Sequence, residues 1–292
     1  MPRAGIVTVV GKPNVGKSTL LNRIVGQKLS ITSEKPQSTR DRVVGIHTSD
    51  DAQMVILDTP GLLNPRYPLQ EAMKSTALRA LADADVIVYL ADATEGNPPD
   101  LAAAAELASP PRAPVITALN KSDALPKGDR APASNNADVV LISALTGDGI
   151  PELMRRVASH LPESPFLYPD DEISTQPVRF FVAELVRETV LEQLHDEVPY
   201  SVAVQVEEFR EDRSPLYIRA VIYVERESQK AIIIGAKGAQ IRRLGEAARR
   251  KIETFVGTKV YLDLWVKVLA NWRKNPGSLS RFGYQLATGK GR

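Results

Sequence analysis

Residues 11–18, GKPNVGKS, combine two glycines with a lysine and a serine at a spacing that could hold phosphate. They fit G-x-x-x-x-G-K-[ST] and stand between an apolar run and a segment whose leucines follow helical spacing. The glycines would let backbone N–H groups face phosphate oxygens, and the helix N-terminus would add positive potential. Lys17 would reach the β and γ phosphates, and Ser18 would ligate Mg²⁺. The segment therefore predicts a nucleoside triphosphate site; the alternative is an ordinary turn between a strand and a helix.

The next strand of the expected sheet ends in DTPG, residues 58–61. Asp58 can hold a water on Mg²⁺, and the N–H of Gly61 can meet the γ-phosphate. Because Gly61 responds to the last phosphate, this loop is expected to distinguish a triphosphate from a diphosphate.

The segment NKSD, residues 120–123, follows another strand and would select the base. Guanine presents two adjacent donors, which the carboxylate of Asp123 can accept; adenine would leave that carboxylate unpaired. Asn120 would brace the loop and contact the base edge, while the stem of Lys121 packs along the ring. Ser143-Ala144 would offer a backbone N–H to the guanine carbonyl. NKSD alone could be a capped turn; together with DTPG at strand ends it indicates guanine.

A second loop, in IIIGAKGAQIRRLG (residues 232–245), lacks G-K-[ST] and so fails as a nucleotide loop. G-x-x-G between two helices, followed by a strand, is the pattern of KH domains, whose loop grips the backbone of single-stranded nucleic acid. Lys237 would supply charge, two arginines would extend it, and isoleucines would form an apolar floor. The alternative is a plain turn between helices. The candidate RNA-binding residues are Ile234, Gly235, Ala236, Lys237, Gly238, Ile241, Arg242 and Arg243.

Strands alternate with helices over the first part of the chain, which predicts an α/β domain with a mostly parallel sheet. Residues 43–48 and 53–59 are expected to be antiparallel neighbours. Residues 1–162 form this predicted domain, and the proline-rich, acidic residues 163–177 form a predicted linker. Residues 178–292 follow the order α-β-β-α-loop-α-β, which predicts a compact α+β domain ending in a basic tail.

The smaller elements carry predictions of their own. An alanine-rich helix is expected over residues 100–108, a surface loop over 125–138, and a disordered tail at TGKGR. Trp265 and Trp272 could stack bases, although packing in the core or against the tail is the simpler interpretation.

Composition limits the class of protein. The 292 residues suffice for two domains, and the lack of cysteine excludes disulfides and thiolate metal sites. No signal peptide or membrane-spanning run is evident, so an intracellular, cytoplasmic protein is expected. Residues 237–292 hold 13 lysines and arginines against 3 acidic residues. Such a region suits nucleic acid or an anionic membrane surface; the plain alternative is a solvated basic face.

The set GKPNVGKS, QSTRD, DTPG, NKSD and ISAL resembles the five motifs of TRAFAC-class GTPases, in the TrmE-Era-Der-like branch. This resemblance implies that Thr39, rather than the neighbouring Ser38, closes on Mg²⁺ when GTP is bound. It implies Ser18, Thr39 and Asp58 as Mg²⁺ ligands, and Lys17, Thr39 and Gly61 as catalytic groups. The implied GTP contacts are Gly11, Asn14, Val15, Gly16, Lys17, Ser18, Thr19, Asp58, Gly61, Asn120, Lys121, Asp123, Ser143, Ala144 and Leu145.

Leu62 stands where Ras-type enzymes carry the glutamine that orients water. A leucine cannot polarise water, so slow intrinsic hydrolysis of GTP to GDP is expected. Related GTPases with an asparagine at the position of Asn14 hold a monovalent cation between the phosphates. K⁺ therefore joins GTP, GDP and Mg²⁺ as a hypothesised cofactor.

The elements of the second half follow the order of a type II KH domain. The resemblance to the Era family extends over nearly the whole chain and is carried there by the GAKG loop, DLWVKV and WRKNPGSLSRFGY. It implies binding to small-subunit ribosomal RNA near its 3′ end, assembly of the 30S subunit, and a monomeric protein. It also implies peripheral contact with the inner face of the cell membrane. A membrane-surface regulatory GTPase, a P-loop metabolic kinase and an RNA-binding module with a vestigial nucleotide site remain as alternatives.

Overall fold

The computed structural model describes residues 1–126 and 138–286. The chain divides into two compact units, the first comprising Met1–Pro65 with Met73–Thr175, and the second comprising Arg66–Ala72 with the chain from Gln176 onward. Most of the predicted surface loop and the predicted tail lie outside the described residues. In the part of the chain that is described, no helix is both long and apolar enough to span a bilayer.

The first unit is built on a six-stranded sheet with the order β2-β3-β1-β4-β5-β6. All neighbours are parallel except β2 and β3, which are antiparallel as predicted. The prediction of an α/β domain with a mostly parallel sheet is therefore confirmed. The strands are β1 (Arg3–Val10), β2 (Val43–Thr48), β3 (Ala52–Asp58), β4 (Val86–Asp92), β5 (Val115–Asn120) and β6 (Val139–Leu141).

Among the described residues, the helices of this unit are α1 (Lys17–Val25), α3 (Leu101–Ala104) and α4 (Ile150–His160), and α2 (Pro68–Ala82) has its first residues in the second unit and the rest in the first. The predicted alanine-rich helix over residues 100–108 is wrong in length, because α3 ends at Ala104. Glu106 has a φ of +54°, a left-handed conformation that no α-helix continues. Alanine favours a helix but does not fix where the helix ends.

The sheet brings the predicted motif loops to one edge. The carboxyl ends of the parallel strands β1, β3, β4 and β5 lie at the same side, and the register pairs Asp92 with Asn120 at their ends. The glycine-rich loop follows β1, DTPG begins at the end of β3, and NKSD begins at the end of β5. This edge is where open α/β sheets bind their ligands.

The segment after α4 contains no helix and no strand, but it is held against β2 and β3. The N–H of Ile46 donates to the carbonyl of Ile173 at 2.8 Å, and the Ser174 hydroxyl donates to the carbonyl of Val44 at 2.6 Å. The carboxamide of Gln53 accepts from the N–H of Leu167 at 2.7 Å. Hydrogen bonds thus fix a segment whose sequence shows no period.

The second unit has the predicted order α-β-β-α-loop-α-β. Its sheet runs β7-β8-β9, with β7 antiparallel and β9 parallel to β8. A β-bulge interrupts β7 between Val206 and Glu208. The elements are α5 (Val178–Gln193), β7 (Ala203–Arg210), β8 (Leu216–Val224), α6 (Glu227–Ile234), α7 (Ala239–Val256), β9 (Val260–Val268) and α8 (Pro276–Arg281).

The core of this unit lies on one face of the sheet. Val186 and Val190 of α5, Leu244 of α7 and Ile222 of β8 are all buried there. Trp272, which follows β9, is fully buried, and its indole N–H donates to the carbonyl of Ser201 at 2.7 Å. The simpler interpretation of Trp272, as a packing residue, is confirmed.

Candidate functional site

The glycine-rich loop fits its place only because two positions lack a side chain. A Cβ at Gly11 would lie 2.2 Å from the carbonyl oxygen of Leu90, and one at Gly16 would lie 2.3 Å from Asn120 Nδ2. Gly16 also has a φ of +102°. Backbone contact with β4 and with the NKSD loop therefore requires both glycines.

Lys17 is folded back into the loop. Its Nζ donates to the carbonyl oxygens of Lys12 at 2.8 Å and Gly11 at 3.2 Å. Burial lowers the pKa of Lys17 to about 8, although the nearby Asp58 raises it. A bound polyphosphate would supply the negative charge that favours the protonated lysine.

Three oxygen-bearing side chains meet beside this lysine. Ser18 Oγ donates to Asp58 Oδ2 at 2.7 Å and lies 3.0 Å from Thr39 Oγ1. Asp58 is fully buried, and its Oδ1 has no hydrogen-bond partner among the described residues. Burial raises the pKa of Asp58, whereas Lys17 and Ser18 lower it.

Two hydroxyls and a carboxylate with an unpaired buried oxygen form the all-oxygen donor set that Mg²⁺ prefers. The residues present therefore fit this ion. At the predicted switch position, the hydroxyl of Thr39 lies within hydrogen-bond distance of Ser18.

The DTPG loop packs directly on the glycine-rich loop. A Cβ at Gly61 would lie 2.7 Å from the backbone nitrogen of Pro13, and the N–H of Leu62 donates to the carbonyl of Gly11 at 3.0 Å. The Leu62 side chain is partly buried in an apolar cluster that contains Leu81. It offers no polar atom to a water molecule.

Asn120 connects the loops at the base end of the site. Its Nδ2 donates to the carbonyl of Val15 at 2.8 Å, and its Oδ1 accepts from the N–H of Ala144 at 2.8 Å. A cavity of about 610 Å³ opens beside it. The lining residues are Asn14, Gly16, Thr19, Thr32, Ser33, Glu34, Asn120, Lys121, Asp123, Ala144 and Leu145.

The carboxylate of Asp123, which is predicted to select the base, is held by a hydroxyl. Ser143 Oγ donates to Asp123 Oδ1 at 2.5 Å, and Ser143 is fully buried. The N–H of Ala144, expected to meet the guanine carbonyl, instead donates to Asn120. The next N–H, that of Leu145, makes no hydrogen bond within residues 1–126 and 138–286. The geometry thus points to Leu145 as the free backbone donor.

Sequence reasoning missed two residues that hold these loops. The guanidinium of Arg23, in the last turn of α1, donates from Nε to the carbonyl of Ala144 at 3.3 Å and also to the carbonyl of Leu145. Asp92 forms an ion pair with Lys121 Nζ at 2.6 Å. Neither residue belongs to a motif. Only the position of Asp92 at the end of β4, next to the end of β5, could have indicated that it lies near the NKSD loop.

Asn14 of the glycine-rich loop makes a contact outside that loop. Its Nδ2 donates to the carbonyl of Glu34 at 2.6 Å. Its Oδ1 has no hydrogen-bond partner in the described part of the chain. Asn14 has a φ of +61°, a conformation that asparagine tolerates better than most residues.

The GAKG loop joins α6 to α7 through three residues with positive φ: Gly235, Lys237 and Gly238. A Cβ at Gly235 would lie 2.7 Å from Gln240 Cβ, so this position requires glycine. Ala236 and Lys237 are exposed, and Gly238 caps α7. The loop tip therefore presents a cation to solvent.

Beside this loop, a groove of about 500 Å³ runs between α7 and β9. Its lining residues are Gly238, Ile241, Arg242, Gly245, Glu246, Arg249, Val260, Tyr261, Leu262 and Leu264. Of the two arginines predicted to bind RNA, only Arg242 lines the groove. Arg243 Nε donates to Gln193 Oε1 of α5 at 3.2 Å. Ile234 packs against the core. Sequence reasoning missed Arg249 and Tyr261.

Two sequence profiles match separate parts of the chain. The profile described as "50S ribosome-binding GTPase" matches residues 6–121, and a KH-domain profile matches residues 197–273. Among curated proteins, GTPase Era of Geobacter sp. strain M21 is 44% identical, covering 97% of this chain and 98% of that protein. GTPase Era of Pseudomonas syringae pv. tomato is 44% identical, covering 97% of each.

Two solved structures are similar over nearly the whole chain. An alanine variant of Aquifex aeolicus Era bound to GDP and aluminium fluoride has a TM-score of 0.90 at 40% identity, covering 97% of this chain and all of that one. Era in complex with MgGDPNP and nucleotides 1506–1542 of 16S ribosomal RNA has a TM-score of 0.89 at 39% identity, covering 98% of this chain and 100% of that one. With this similarity across both units, and with both motif loops in place, the chain belongs to the Era family of GTPases.

Proposed function

We propose that the protein binds and hydrolyses GTP in its first unit and binds small-subunit ribosomal RNA near the 3′ end in its second. It acts as a nucleotide-switched factor in assembly of the 30S subunit. One observation carries this proposal: the Era complex with MgGDPNP and 16S ribosomal RNA shares the fold of this chain. The present chain also carries the motif residues of both candidate sites. The expectation of a GTPase with a KH domain is confirmed.

The first unit holds the triphosphate by its backbone. N–H groups of the glycine-rich loop and the N-terminus of α1 face the phosphates, and Lys17 places its ammonium beside the β and γ oxygens. Mg²⁺, when bound to Ser18, Thr39 and Asp58, supplies neutralising charge on those oxygens. Gly61 donates its N–H to the γ-phosphate. These groups stabilise charge and position the phosphate, but none takes a proton from water.

Hydrolysis by the isolated protein is therefore slow. Leu62 is apolar and partly buried, so it leaves the attacking water without an orienting amide. An additional group must stabilise the transition state. Within this chain, Asn14 is the candidate residue, because it could hold a K⁺ ion beside the phosphates. Release of Thr39 and Gly61 after loss of the γ-phosphate is the nucleotide switch.

The second unit grips RNA by its backbone. The GAKG loop approaches the phosphates, and Lys237, Arg242 and Arg249 make no ion pair with any described carboxylate. Lys237 at the loop tip and Arg242 and Arg249 of the groove outnumber the one acidic residue that lines it, Glu246, and this excess of positive charge favours a polyanion. Ile241, Leu262 and Leu264 supply the apolar floor on which bases rest.

The site of action that we propose is the cytoplasm, where ribosomal subunits are assembled, with the protein working as a monomer. The excess of cations after residue 237 also suits anionic lipid at the inner face of the cell membrane. Flotation with anionic vesicles, with and without competing RNA, distinguishes the two uses of that surface. Flotation abolished by RNA would mean that both ligands share it.

The proposed function is tested with the full chain, GTP and the 1506–1542 segment of 16S ribosomal RNA. Wild-type protein should hydrolyse GTP in the presence of Mg²⁺ and bind this segment more tightly than a scrambled RNA of equal length. Lys17→Ala should lower hydrolysis by roughly 100-fold or more and leave the RNA affinity measured without nucleotide unchanged. Equal affinity for the scrambled RNA, or no hydrolysis with any combination of ligands, would refute the proposal.

A further inference from the structure

Two aromatic rings stand exposed on the outer strand of the second sheet. Side chains alternate along β9, so Val260, Leu262, Leu264 and Val266 face the core while the residues between them face the opposite side. On that opposite side, Tyr261 is 59% exposed and Trp265 is 53% exposed. They are four positions apart, or about 13 Å along the strand.

The ring of Tyr261 packs against a neighbouring aromatic ring. Its ring stacks on that of Tyr217 in β8, with centroids 5.8 Å apart and planes 12° from parallel. Tyr217 in turn donates its hydroxyl to Asp263 Oδ2 at 3.0 Å, and Arg219 Nε donates to the same oxygen at 3.0 Å. The network fixes the ring and leaves one of its faces toward solvent.

Tyr261 also lines the groove beside the GAKG loop, together with Arg242 and Arg249. The aromatic surface formed by Tyr261 and Trp265 is therefore continuous with the proposed RNA groove. An RNA strand that follows β9 out of the groove meets Tyr261 first and Trp265 next. Because β9 is the outermost strand of its sheet, no further strand among the described residues of the second unit stands in that path.

We propose that Tyr261 and Trp265 are base-stacking residues that extend the RNA site beyond the GAKG groove. This inference rests on the proposed function and adds to it a second, sequence-tolerant segment of single-stranded RNA. Aromatic rings accept any base on their faces, so the surface contributes affinity and length of contact rather than choice of base.

The charges around the rings favour stacking over phosphate contact. Arg219 is paired with Glu208 and Asp263, and Lys267 is paired with Glu207 at 2.9 Å. These cations are already paired with carboxylates, whereas Lys237 at the loop tip and Arg242 and Arg249 of the groove form no ion pair with a described carboxylate. The groove would then hold the backbone of the RNA, and the aromatic surface would hold the bases that follow.

Tryptophan fluorescence provides a direct test, because the chain has two tryptophans and Trp272 is fully buried. Addition of the 1506–1542 RNA segment should quench the emission of the wild-type protein and protect it from acrylamide. In Trp265→Phe both responses should disappear while the RNA affinity is retained, since phenylalanine still stacks. Quenching that persists in Trp265→Phe would show that the signal comes from Trp272 and would contradict the proposal.

Affinity gives the second test. Trp265→Ala and Tyr261→Ala should each weaken RNA binding by roughly 5- to 150-fold, whereas Val178→Ala, which removes an exposed apolar side chain on α5, should not. An RNA shortened to four nucleotides fills the groove alone, so Trp265→Ala and Val178→Ala should bind it like wild type, whereas Tyr261→Ala, which alters the groove lining, should bind it more weakly. Thermal melting checks that each variant is folded.

The two proposals fail in different ways. If Ala236→Asp with Lys237→Asp abolishes RNA binding while Trp265→Ala and Tyr261→Ala bind like wild type, the proposed function stands and this inference is wrong. Quenching of Trp265 by anionic phospholipid vesicles but not by RNA would also overturn it. A wild-type chain that binds no RNA would refute both.

Discussion

The side chain of Asn120 donates to the backbone carbonyl of Val15 at 2.8 Å, so the base-selecting loop is bonded to the phosphate loop. The same side chain accepts from the N–H of Ala144, which joins a third loop. Gly16 makes room for it, since any Cβ there would collide with Asn120 Nδ2. A single buried amide therefore sets the distance between the two ends of the nucleotide site.

We expect Asn120→Ala to weaken GDP binding by roughly 10- to 100-fold, because it leaves buried groups of Val15 and Ala144 without partners. Stability of the nucleotide-free protein should fall by about 1–3 kcal/mol for the same reason. Urea unfolding and GDP titration measure the two effects. Asn97→Ala, at an exposed position, is the control; a nucleotide affinity equal to wild type in Asn120→Ala would show that the link is dispensable.

Asp123→Asn should change the base that the protein selects. The carboxylate, aligned by Ser143, should accept two hydrogen bonds from guanine, whereas an amide matches the extra carbonyl of xanthine. GTP affinity should fall by about 100-fold or more, and XTP should become the preferred ligand. Competition among GTP, ATP and XTP checks this, with Asp51→Asn as a surface control. Undiminished preference for GTP would remove Asp123 from the base site.

K⁺ should accelerate hydrolysis through Asn14. The amide nitrogen of Asn14 is held by the carbonyl of Glu34, and its oxygen is available to a cation beside the phosphates. We expect GTP hydrolysis to be roughly tenfold faster in KCl than in NaCl at equal ionic strength. Asn14→Ala should abolish the difference. Equal rates in the two salts, or a K⁺ effect that survives in Asn14→Ala, would contradict the hypothesis.

Ala236→Asp combined with Lys237→Asp should disable RNA binding without unfolding the second unit. Both side chains are exposed, and aspartate tolerates the left-handed conformation of Lys237. Filter binding to the 1506–1542 segment should show a large loss, and the residual binding should depend less on salt because fewer counterions are released.

The same double variant should keep its basal GTP hydrolysis, because the first unit retains its whole site. Stimulation of hydrolysis by RNA, if present in the wild type, should vanish. Arg210→Ala, which removes one exposed positive charge on β7, is a control for the loss of a surface cation away from the GAKG loop. RNA affinity like that of the parent would show that GAKG is only a turn between helices.

Local motifs made much of this site predictable from sequence. GKPNVGKS, DTPG and NKSD each follow a strand, and a parallel sheet brings strand ends together, so their convergence required no knowledge of side-chain contacts. For Trp265 the simpler interpretation of packing was wrong, because the side chain is exposed; strict alternation along β9 points Tyr261 and Trp265 away from the core.

What the sequence did not reveal depends on contacts between distant residues. Arg23 lies 121 positions from Ala144 along the chain, and no pattern at either position announces their hydrogen bond. Arg242 and Arg243 are adjacent, yet one lines the groove and the other contacts Gln193, because consecutive helical residues point about 100° apart. The early end of α3 depends on the conformation of Glu106, which composition does not set.

The bulge between Val206 and Glu208 has a consequence for self-association. It lies in β7, an outer strand of the second sheet, where unpaired N–H and C=O groups could accept a strand from a second copy. An extra residue breaks the regular spacing of those groups and twists the strand, and Glu207, Glu208 and Arg210 place charges along it. The edge is thereby a poor template for edge-to-edge aggregation at the concentrations that crystallisation or spectroscopy demands.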